Sequence, residues 1–380
     1  MSAVNTPRIK GWCPGALRPM ESGDGWVVRL RAHGGRLTQH QAAGIAAAAQ
    51  AHGNGLIDLT GRANLQLRGV TPDSHGPLIA DLRALGLIDA DIAAETLRNI
   101  IVTPFASAET DALTAALATA LDSSNLTLPA KFGFAVDTGA QRLLADTPAD
   151  IRVERDTQGG LILRADGMAT GAQVTARNAP QAAVALAAWF LSQGGAVGGR
   201  GRMAALIRRG IRPSDATRTP ALTAPTPPPG PVPQGMLVAA EFGQISAPTL
   251  SALAETGPIR LTPWRMLLVE GAASLPDLPD LILNPDDPRL RLRVCTGAPG
   301  CPQALAETRA FARRLAPGMP PGRVLHVSGC AKGCACPTPA DLVLVATPRG
   351  FRAIRDGLAS GAALGHDLDP DRMPPLPELF

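Results

Sequence analysis

Four cysteines near the C-terminal end constrain this chain more than any other feature, because two separate loops must meet if the four thiols share one ligand. Cys295 and Cys301 form a C-x5-C element, and Cys330 and Cys334 form a C-x3-C element. In a reducing compartment, closely spaced cysteines are more often metal ligands or catalytic groups than disulfides. Four converging thiolates are the usual ligands of a [4Fe–4S] cluster. The sequence therefore predicts one cysteine-ligated cluster.

The two cysteine elements have different expected backbones. Glycine and proline between Cys295 and Cys301 let that loop curl around a ligand. Residues 324–327 are predicted to form a buried strand, with a short helix after it. On that helix Cys330 and Cys334 would share a face near its positive end, which favours thiolates. Zinc is an alternative, although its cysteine pairs are usually separated by about two to four residues, and inert thiols are a further interpretation.

Two more cysteines lie outside these elements. Cys336 follows Cys334 closely and is predicted to be a small buried residue, with a spare ligand as the alternative. Cys13 is distant in sequence and is predicted to be structural.

The order strand, helix, strand occurs twice in the chain, which indicates an internal duplication. In the first copy Thr38 and Gln41 have the spacing of a capping box, and Gly53 is a plausible end of the helix. In the second copy the helix is shorter and ends at Gly257. A chance similarity of two ordinary units is the alternative. The predicted strands are 26–31 and 56–60 in the first copy, and 236–240 and 259–262 in the second.

The remaining segments complete a prediction of domain limits. Between the two copies we expect strands at 99–102 and 132–137, helices at 109–121 and 182–191, and a hairpin of 151–155 with 161–164. A proline- and threonine-rich stretch should be an extended linker. The predicted limits are 1–95 and 234–280 for the duplicated half-domains, 96–211 and 281–380 for two larger α/β domains, and 212–233 for the linker.

Arginine outnumbers lysine in an unusual proportion, because only three of the 36 basic residues are lysine. A GC-rich genome would explain the bias, and a polycarboxylate or oxyanion ligand would explain it functionally, since guanidinium groups bind carboxylates bidentately. Four arginines end predicted strands and could converge on one ligand, although each could instead be a surface residue beside a turn. They are Arg62, Arg68, Arg98 and Arg265.

Composition also argues against some classes of partner. Aromatic residues make up 3% of the chain and tyrosine is absent, so a nucleic-acid-binding surface is not expected. No apolar run approaches the roughly 20 residues needed to cross a bilayer, and Met1–Gly15 has no hydrophobic signal segment. The sequence predicts a cytoplasmic protein that does not contact membranes.

The spacing of the cysteines and the order of the elements resemble those of sirohaem sulfite and nitrite reductases. The resemblance implies an α+β fold in which two ferredoxin-like half-domains pair about a pseudo-twofold axis, each followed by an α/β domain. Thr60–Gly69 looks like the first macrocycle- and anion-binding motif of that superfamily, and Arg98–Ile100 like the second. Leu128–Phe132 is similar to the segment that supplies lysines to the active site.

Within that superfamily the chain is most similar to precorrin-3B synthases, in five short motifs. The resemblance implies an O2-dependent monooxygenase that acts on precorrin-3A, hydroxylates C20 and closes a γ-lactone during cobalamin biosynthesis. It also implies a [4Fe–4S] cluster, a further mononuclear non-haem iron and electrons derived from NADH. The motifs are Gly11–Gly15, Pro19–Met20, Ser22–Gly25, Thr262–Arg265 and Ser328–Cys334.

The same resemblance assigns roles to residues of this chain. The four cysteines would hold the cluster, with Cys334 against the macrocycle. Substrate-binding roles fall on Arg62, Arg68, Arg98 and Arg265, and catalytic roles on Arg62, Asn64, Arg98 and Lys131.

Several features bear on the choice between reactions. Ala130 and Gly133 stand where sulfite reductases carry basic residues, which an oxygenase acting on neutral O2 does not need. No G-x-G-x-x-G fingerprint follows a predicted strand, so NADH-derived electrons are expected through a partner reductase or ferredoxin. Among six histidines no facial-triad spacing occurs, and His326 is the best-placed candidate for an iron ligand. A sirohaem-dependent reductase and a non-catalytic electron carrier are the alternatives.

Overall fold

The structure, a computed structural model, describes residues 14–380, so the expectation for Cys13 lies outside it. The strands are β1 Met20–Ser22, β2 Gly25–Leu30, β3 Arg36–Leu37, β4 Leu56–Leu59, β5 Leu65–Val70, β6 Ile100–Val102, β7 Phe134–Asp137, β8 Ile151–Arg155, β9 Leu161–Ala165, β10 Ala172–Gln173, β11 Gly230–Val232, β12 Gly235–Ala240, β13 Gln244–Ser246, β14 Ile259–Leu261, β15 Met266–Glu270, β16 Leu281–Ile282, β17 Leu292–Val294, β18 Leu325–Ser328, β19 Ala340–Thr347 and β20 Gly350–Gly357. The helices are α1 Gln39–His52, α2 Pro72–Ala84, α3 Ile92–Leu97, α4 Ala108–Asp122, α5 Ala179–Ser192, α6 Met203–Arg208, α7 Ala247–Thr256, α8 Thr308–Leu315 and α9 Leu376–Leu379.

The two half-domain sheets exchange a strand, which joins the duplicated copies into one body. The first sheet has the order β1-β2-β5-β4-β13, and the second has the order β11-β12-β15-β14-β3. The capping box of Thr38 with Gln41 starts α1 as predicted, and Ser246 caps α7. Both helices bury apolar faces in one shared core, for example Ile45 and Leu250. The predicted pairing of two half-domains is therefore confirmed.

Each α/β domain has the same sheet topology, so the duplication covers both pairs of domains. In the first, β6, β7 and β8 are parallel and β9 returns antiparallel. In the second, β17, β18 and β19 are parallel and β20 returns antiparallel. The pseudo-twofold α+β fold of the prediction is thus confirmed, whereas the exact domain limits stay predictions because β3 and β13 cross between copies.

Two equivalent turns meet near the pseudo-twofold axis. Thr60 Oγ1 accepts hydrogen bonds from the backbone N–H groups two and four residues later, and Thr262 Oγ1 does the same in the second copy. Both turns contain one residue with a left-handed backbone, Ala63 with φ 52° and Arg265 with φ 60°. The same backbone therefore presents alanine in one copy and arginine in the other.

Ion-pair networks at equivalent positions have opposite charges in the two copies. Strand register pairs Ile57 with Leu67 in the first copy and Ile259 with Val269 in the second, which makes the neighbouring charged residues equivalent. Each network joins a half-domain sheet to the helix that follows the first strand of an α/β domain. The networks are Asp58 with Arg68 (2.9 Å) and Arg309 (3.2 Å), and Arg260 with Glu270 (2.6 Å) and Asp111 (2.7 Å).

The helix predicted after β18 is absent, and this prediction was wrong. Residues 329–339 form turns and bends, in which Gly333 has φ 64°. A left-handed residue cannot continue a right-handed helix, and Pro337 removes a backbone donor soon afterwards. Cys330 and Cys334 therefore lie on successive turns. No helix dipole is available there to stabilise their thiolates.

The proline-rich stretch 212–233, whose role as a linker stays a prediction, is attached to the first α/β domain. Isolated bridges join Arg142 to Thr223, Asp156 to Pro220 and Gly171 to Arg218. Near its end the stretch forms β11, which is the edge strand of the second half-domain sheet. Within residues 14–380, no helix is long and apolar enough to span a bilayer.

Asp137, at the end of β7, is a buried carboxylate with incomplete hydrogen bonding. Its Oδ2 accepts from Leu144 N at 2.7 Å, while Oδ1 has no hydrogen-bond partner among the described residues. Burial, and to a lesser degree the charge of Glu154, raises the pKa of Asp137 from 3.8 to about 6. Because the folded state binds this proton more tightly than the unfolded state, the carboxyl costs stability as the pH rises from about 4 to 6.

We predict that Asp137→Asn stabilises the protein at pH 7.5 by about 2–3 kcal/mol relative to wild type, and hardly at all at pH 4. Urea denaturation at both pH values measures the difference. Asp122→Asn, at an exposed position, is the control and should change little at either pH. An equal effect of Asp137→Asn at both pH values would contradict the assignment.

Candidate active site

The two cysteine elements meet at the carboxyl ends of two neighbouring parallel strands. Val294 of β17 pairs with Val327 of β18, so the residues that follow these strands lie side by side. Cys295 comes directly after β17, and its Sγ accepts a hydrogen bond from Gly329 N at 3.1 Å. Ligand sites of open α/β sheets typically lie at this edge. The sheet therefore brings together two loops that are about 30 residues apart in sequence.

The thiols lie close enough to affect each other's ionisation. Burial raises the pKa of Cys330 and of Cys334, and the other thiolates of the group raise both further, while Lys332 acts in the opposite direction. Four thiolates are thus mutually repelling, and a cationic centre between them would remove that repulsion. Within the described residues, no three His, Cys, Asp or Glu side chains are close enough to hold a single metal ion. The chemistry of the donor set, four thiols on two adjoining loops, is the one that ligates a cubane cluster.

A turn of the first half-domain clamps the loop between Cys295 and Cys301. Gly300 O accepts hydrogen bonds from Ser22 Oγ at 2.6 Å, Gly23 N at 3.3 Å and Arg68 Nη2 at 2.7 Å. A Cβ atom added at Gly23 would overlap the backbone oxygen of Pro299. The turn between β1 and β2 must therefore contain glycine for this approach.

Arg68 is the centre of that clamp. Its side chain is only 4% exposed, and every guanidinium nitrogen has a partner. Nε and Nη2 bind Asp24 at 2.8 and 2.7 Å, and Nη1 binds Asp58 at 2.9 Å. These contacts favour a role in positioning the cysteine loop, while the expected role in substrate binding stays a prediction.

A cavity of about 220 Å³ lies against the cysteines, where both half-domains meet the last domain. Arg265 contributes a guanidinium to it, from the turn whose counterpart carries Ala63. No carboxylate among the described residues forms an ion pair with Arg265, and burial, followed by the charge of Arg293, lowers its pKa. A partly buried cation of this kind is stabilised by an anionic ligand. The lining residues are Asp58, Leu59, Thr60, Gly61, Gln66, Arg68, Phe242, Gly243, Arg265, Val294, Cys295, Thr296, Arg309, Cys334 and Ala335.

His326 is fully buried on β18, beneath the turn that carries Cys334. Neither ring nitrogen has a hydrogen-bond partner among the described residues. Burial, and then the charge of Arg265, lowers its pKa from 6.5 to about 4, so the imidazole is neutral at pH 7. The turn lies over the ring, since a Cβ atom at Gly333 would be 3.5 Å from its Cε1.

The other predicted site residues are only partly brought together. Arg62 and Lys131 do not line the cavity. Arg62 follows the lining residue Gly61, and its Nη1 donates to Lys131 O at 3.3 Å. Asn64 is buried behind the turn. Arg98 does not line this cavity: it forms an ion pair with Asp89 at 2.7 Å and lines a separate one of about 520 Å³.

Sequence reasoning missed two parts of the site. Arg309, in the first turn of α8, lines the cavity and binds Asp58, and its only sequence signal was its position shortly after the first cysteine loop. The motif Ser22–Gly25 is recognisable in the sequence, but its clamping role depends on Gly300, a partner far along the chain.

Comparison with known proteins agrees with this architecture. Residues 18–85 match the family model described as nitrite/sulfite reductase ferredoxin-like half domain. A precorrin-3B synthase from Sinorhizobium sp is 32% identical, over 93% of this chain and 84% of the relative. The solved structure of the Mycobacterium tuberculosis NirA protein is similar with a TM-score of 0.62, over 91% of this chain and 78% of that one, at 19% identity. This last similarity shows the fold alone, and it confirms the sulfite/nitrite reductase-like fold class.

We predict that Arg68→Gln lowers the free energy of unfolding by about 3–5 kcal/mol, because it leaves two largely buried carboxylates, Asp24 and Asp58, with less compensation. Chemical denaturation measures the loss. Arg349→Gln is the matched control, since its side chain is 86% exposed and its ion pair with Asp367 is long at 3.5 Å. That change should cost less than about 0.5 kcal/mol. Equal stability of the two variants would refute the clamp.

Proposed function

This chain belongs to the precorrin-3B synthase family, and from that premise we propose that it converts precorrin-3A to precorrin-3B as an O2-dependent monooxygenase. The reaction hydroxylates C20 of the macrocycle and closes a γ-lactone. The observation that carries the proposal is a guanidinium without a carboxylate partner among the described residues, Arg265, in the same cavity as Cys295 and Cys334. A polycarboxylate macrocycle placed there would be bound by its side chains and would lie next to the redox centre.

The four cysteines Cys295, Cys301, Cys330 and Cys334 are the proposed ligands of one [4Fe–4S] cluster. When bound, such a cluster supplies electrons one at a time. Gly329 N already donates to Cys295 Sγ, and such a donor stabilises a thiolate. The clamp at Gly300 fixes the backbone next to Cys301.

Substrate carboxylates are proposed to bind Arg265 first. Precorrins carry several acetate and propionate groups, and a partly buried guanidinium binds a carboxylate through paired, charge-assisted hydrogen bonds. Arg309 is partly engaged by Asp58, and Arg68 by the clamp, so Arg265 has the largest capacity for a new anion. Arg62, which follows the lining residue Gly61, and Lys131, whose backbone oxygen it contacts, are proposed to attract the polyanion, and Asn64 to support the turn. Arg98 would act only from outside this cavity.

The surroundings of Gly133 favour an oxygenase over an oxyanion reductase. A Cβ atom at Gly133 would lie 2.7 Å from Asn99 Nδ2 and 3.0 Å from its backbone oxygen. A basic side chain therefore cannot be placed there without moving Asn99. Lys131 is left as the lone lysine of its segment, a poor arrangement for reducing an anion and no obstacle to using neutral O2.

The source of electrons and any second metal belong to the same proposal. Electrons derived from NADH would arrive through a reductase or ferredoxin partner, because the sequence has no dinucleotide-binding fingerprint. The described residues offer no three-ligand set for a mononuclear non-haem iron, and we assign no residue to one.

Anaerobic purification followed by assay tests the proposed function. The protein should show broad absorbance of an iron–sulfur cluster and should convert precorrin-3A only when O2 and a reductant are supplied, as followed by mass spectrometry. Sirohaem bands with reduction of sulfite or nitrite would instead establish the alternative reductase.

Loss of a single cluster ligand is the next prediction. Cys301→Ser should remove most iron and labile sulfide, because one thiolate of four is lost. Cys336→Ser is the matched control: this thiol is 7% exposed and its Sγ is 3.3 Å from Thr338 O, a contact that a serine hydroxyl can also make. Analysis of iron and labile sulfide in both variants measures the loss of the cluster. A cluster retained in Cys301→Ser would contradict the ligand assignment.

Removal of the Arg265 guanidinium should impair substrate binding and spare the cluster. We predict that Arg265→Asn lowers kcat/KM for precorrin-3A by about 10–100-fold, mainly through KM, which corresponds to one charged hydrogen-bonding group. Asparagine is chosen because it tolerates the left-handed backbone at this position. Arg349→Gln should keep wild-type kinetics. Unchanged kcat/KM in Arg265→Asn would show that the cavity does not bind the substrate.

A further inference from the structure

A second cavity, of about 480 Å³, lies on the other side of the two central turns. We call it the tryptophan groove. Gly61 lines both cavities, and a Cβ atom added there would be 3.8 Å from Pro263 O, so the two turns are close together. Two successive residues of one turn line different cavities: Trp264 lines the groove, and Arg265 lines the cysteine cavity. The lining residues of the groove are Gly61, Leu143, Ala145, Asp146, Thr147, Pro148, Thr223, Ala224, Pro225, Thr226, Pro263 and Trp264.

The cysteine cavity alone is small for a tetrapyrrole. Its volume of about 220 Å³ is below the range of roughly 300–1,000 Å³ that holds drug-sized ligands, and a tetrapyrrole with its side chains is larger than most of these. The two adjoining cavities together fall within that range. A ligand anchored at Arg265 therefore needs the neighbouring groove for the rest of its ring.

The chemistry of the two cavities is complementary. The cysteine cavity contains three arginines, whereas none of the residues lining the groove is basic, and Asp146 adds a negative charge. The groove instead offers an indole and three prolines. Trp264 packs against the apolar cluster of Leu237 and Met266 and also lines the groove. Carboxylates are thus favoured on the arginine side, and the face of a conjugated ring on the tryptophan side.

The proline-rich stretch also lines the groove, and hydrogen bonds to Arg142 hold it in position. Ala224 N donates to Arg142 O at 2.9 Å, Arg142 N donates to Leu222 O at 2.8 Å, and Arg142 Nε donates to Ala221 O at 2.6 Å. These bonds attach the stretch to the loop between β7 and β8 of the first α/β domain. A wall that is already ordered binds a ligand at a smaller entropic cost.

We propose that the tryptophan groove is the second half of the tetrapyrrole site, in which Trp264 stacks on the ring face while residues 223–226 close the other side. This inference rests on the proposed function and extends it, because it assigns a ring-binding residue and gives the linker a role in recognising the macrocycle. Small anions would use Arg265 alone, and only a tetrapyrrole would use both halves.

Anaerobic titration of the cluster-containing protein with precorrin-3A tests the proposal, since no turnover occurs without O2. Calorimetry should give a dissociation constant roughly tenfold or more weaker for Trp264→Leu, with much of the affinity retained by Trp264→Phe. Trp189→Phe is the control, because this tryptophan packs in the core of the first α/β domain. Tryptophan fluorescence should be quenched by precorrin-3A in wild type and in Trp189→Phe, and much less in Trp264→Phe.

A second variant guards against misfolding of the first. Ala224→Trp leaves Trp264 intact and fills the groove from the proline-rich stretch, and it should also weaken binding with normal iron content. Wild-type affinity in both Trp264→Leu and Ala224→Trp would overturn the proposal that the groove binds the ring. Full quenching of the tryptophan fluorescence in Trp264→Phe would overturn it as well. If Arg265→Asn weakens binding while both groove variants bind normally, the inference fails and the proposed function stands. If wild-type protein binds no precorrin-3A, the proposed function itself fails.

Discussion

The hydrogen bonds from Arg68 to Gly300, Asp24 and Asp58 are the contacts on which the site depends, because they join a half-domain near the start of the chain to the first cysteine loop. Asp58 continues the network to Arg309 on α8. The equivalent network of the other copy has reversed charges. If a half-domain docked on the wrong α/β domain, Asp58 would face Asp111 and Arg260 would face Arg309, and like charges would oppose the error. We infer that charge reversal helps a duplicated chain to pair its halves correctly.

The proposed function depends on differences in side chains between the two copies, which share one backbone arrangement. Arg265 occupies the turn position that Ala63 has in the first copy. Cys295 follows β17, whereas Thr103 follows the equivalent strand β6. The duplication therefore provides two similar strand edges, of which one carries thiols and an adjacent guanidinium. A few side chains thus distinguish one copy from the other. The hydrogen bonds of Thr60 and Thr262 are the same in both copies and stabilise both turns.

What could be predicted from the sequence is what depends on neighbouring residues. The capping box at Thr38 and the helix end at Gly53 act within one turn, and both were predicted correctly. The prediction of a helix after β18 was wrong because Gly333 has a left-handed backbone. That conformation depends on packing, which the local sequence does not show. The clamp was missed because Arg68 and Gly300 are 232 residues apart. Arg98 was grouped with the site by its motif, and its ion pair with Asp89 holds it at another cavity.

Anomalous X-ray diffraction from crystals of anaerobically purified protein, collected at the iron absorption edge, tests the central claim most directly. We expect one strong iron peak enclosed by the sulfur atoms of Cys295, Cys301, Cys330 and Cys334, next to the cavity that contains Arg265. Anomalous density at the zinc edge in its place, or iron bound away from these four sulfurs, would contradict it.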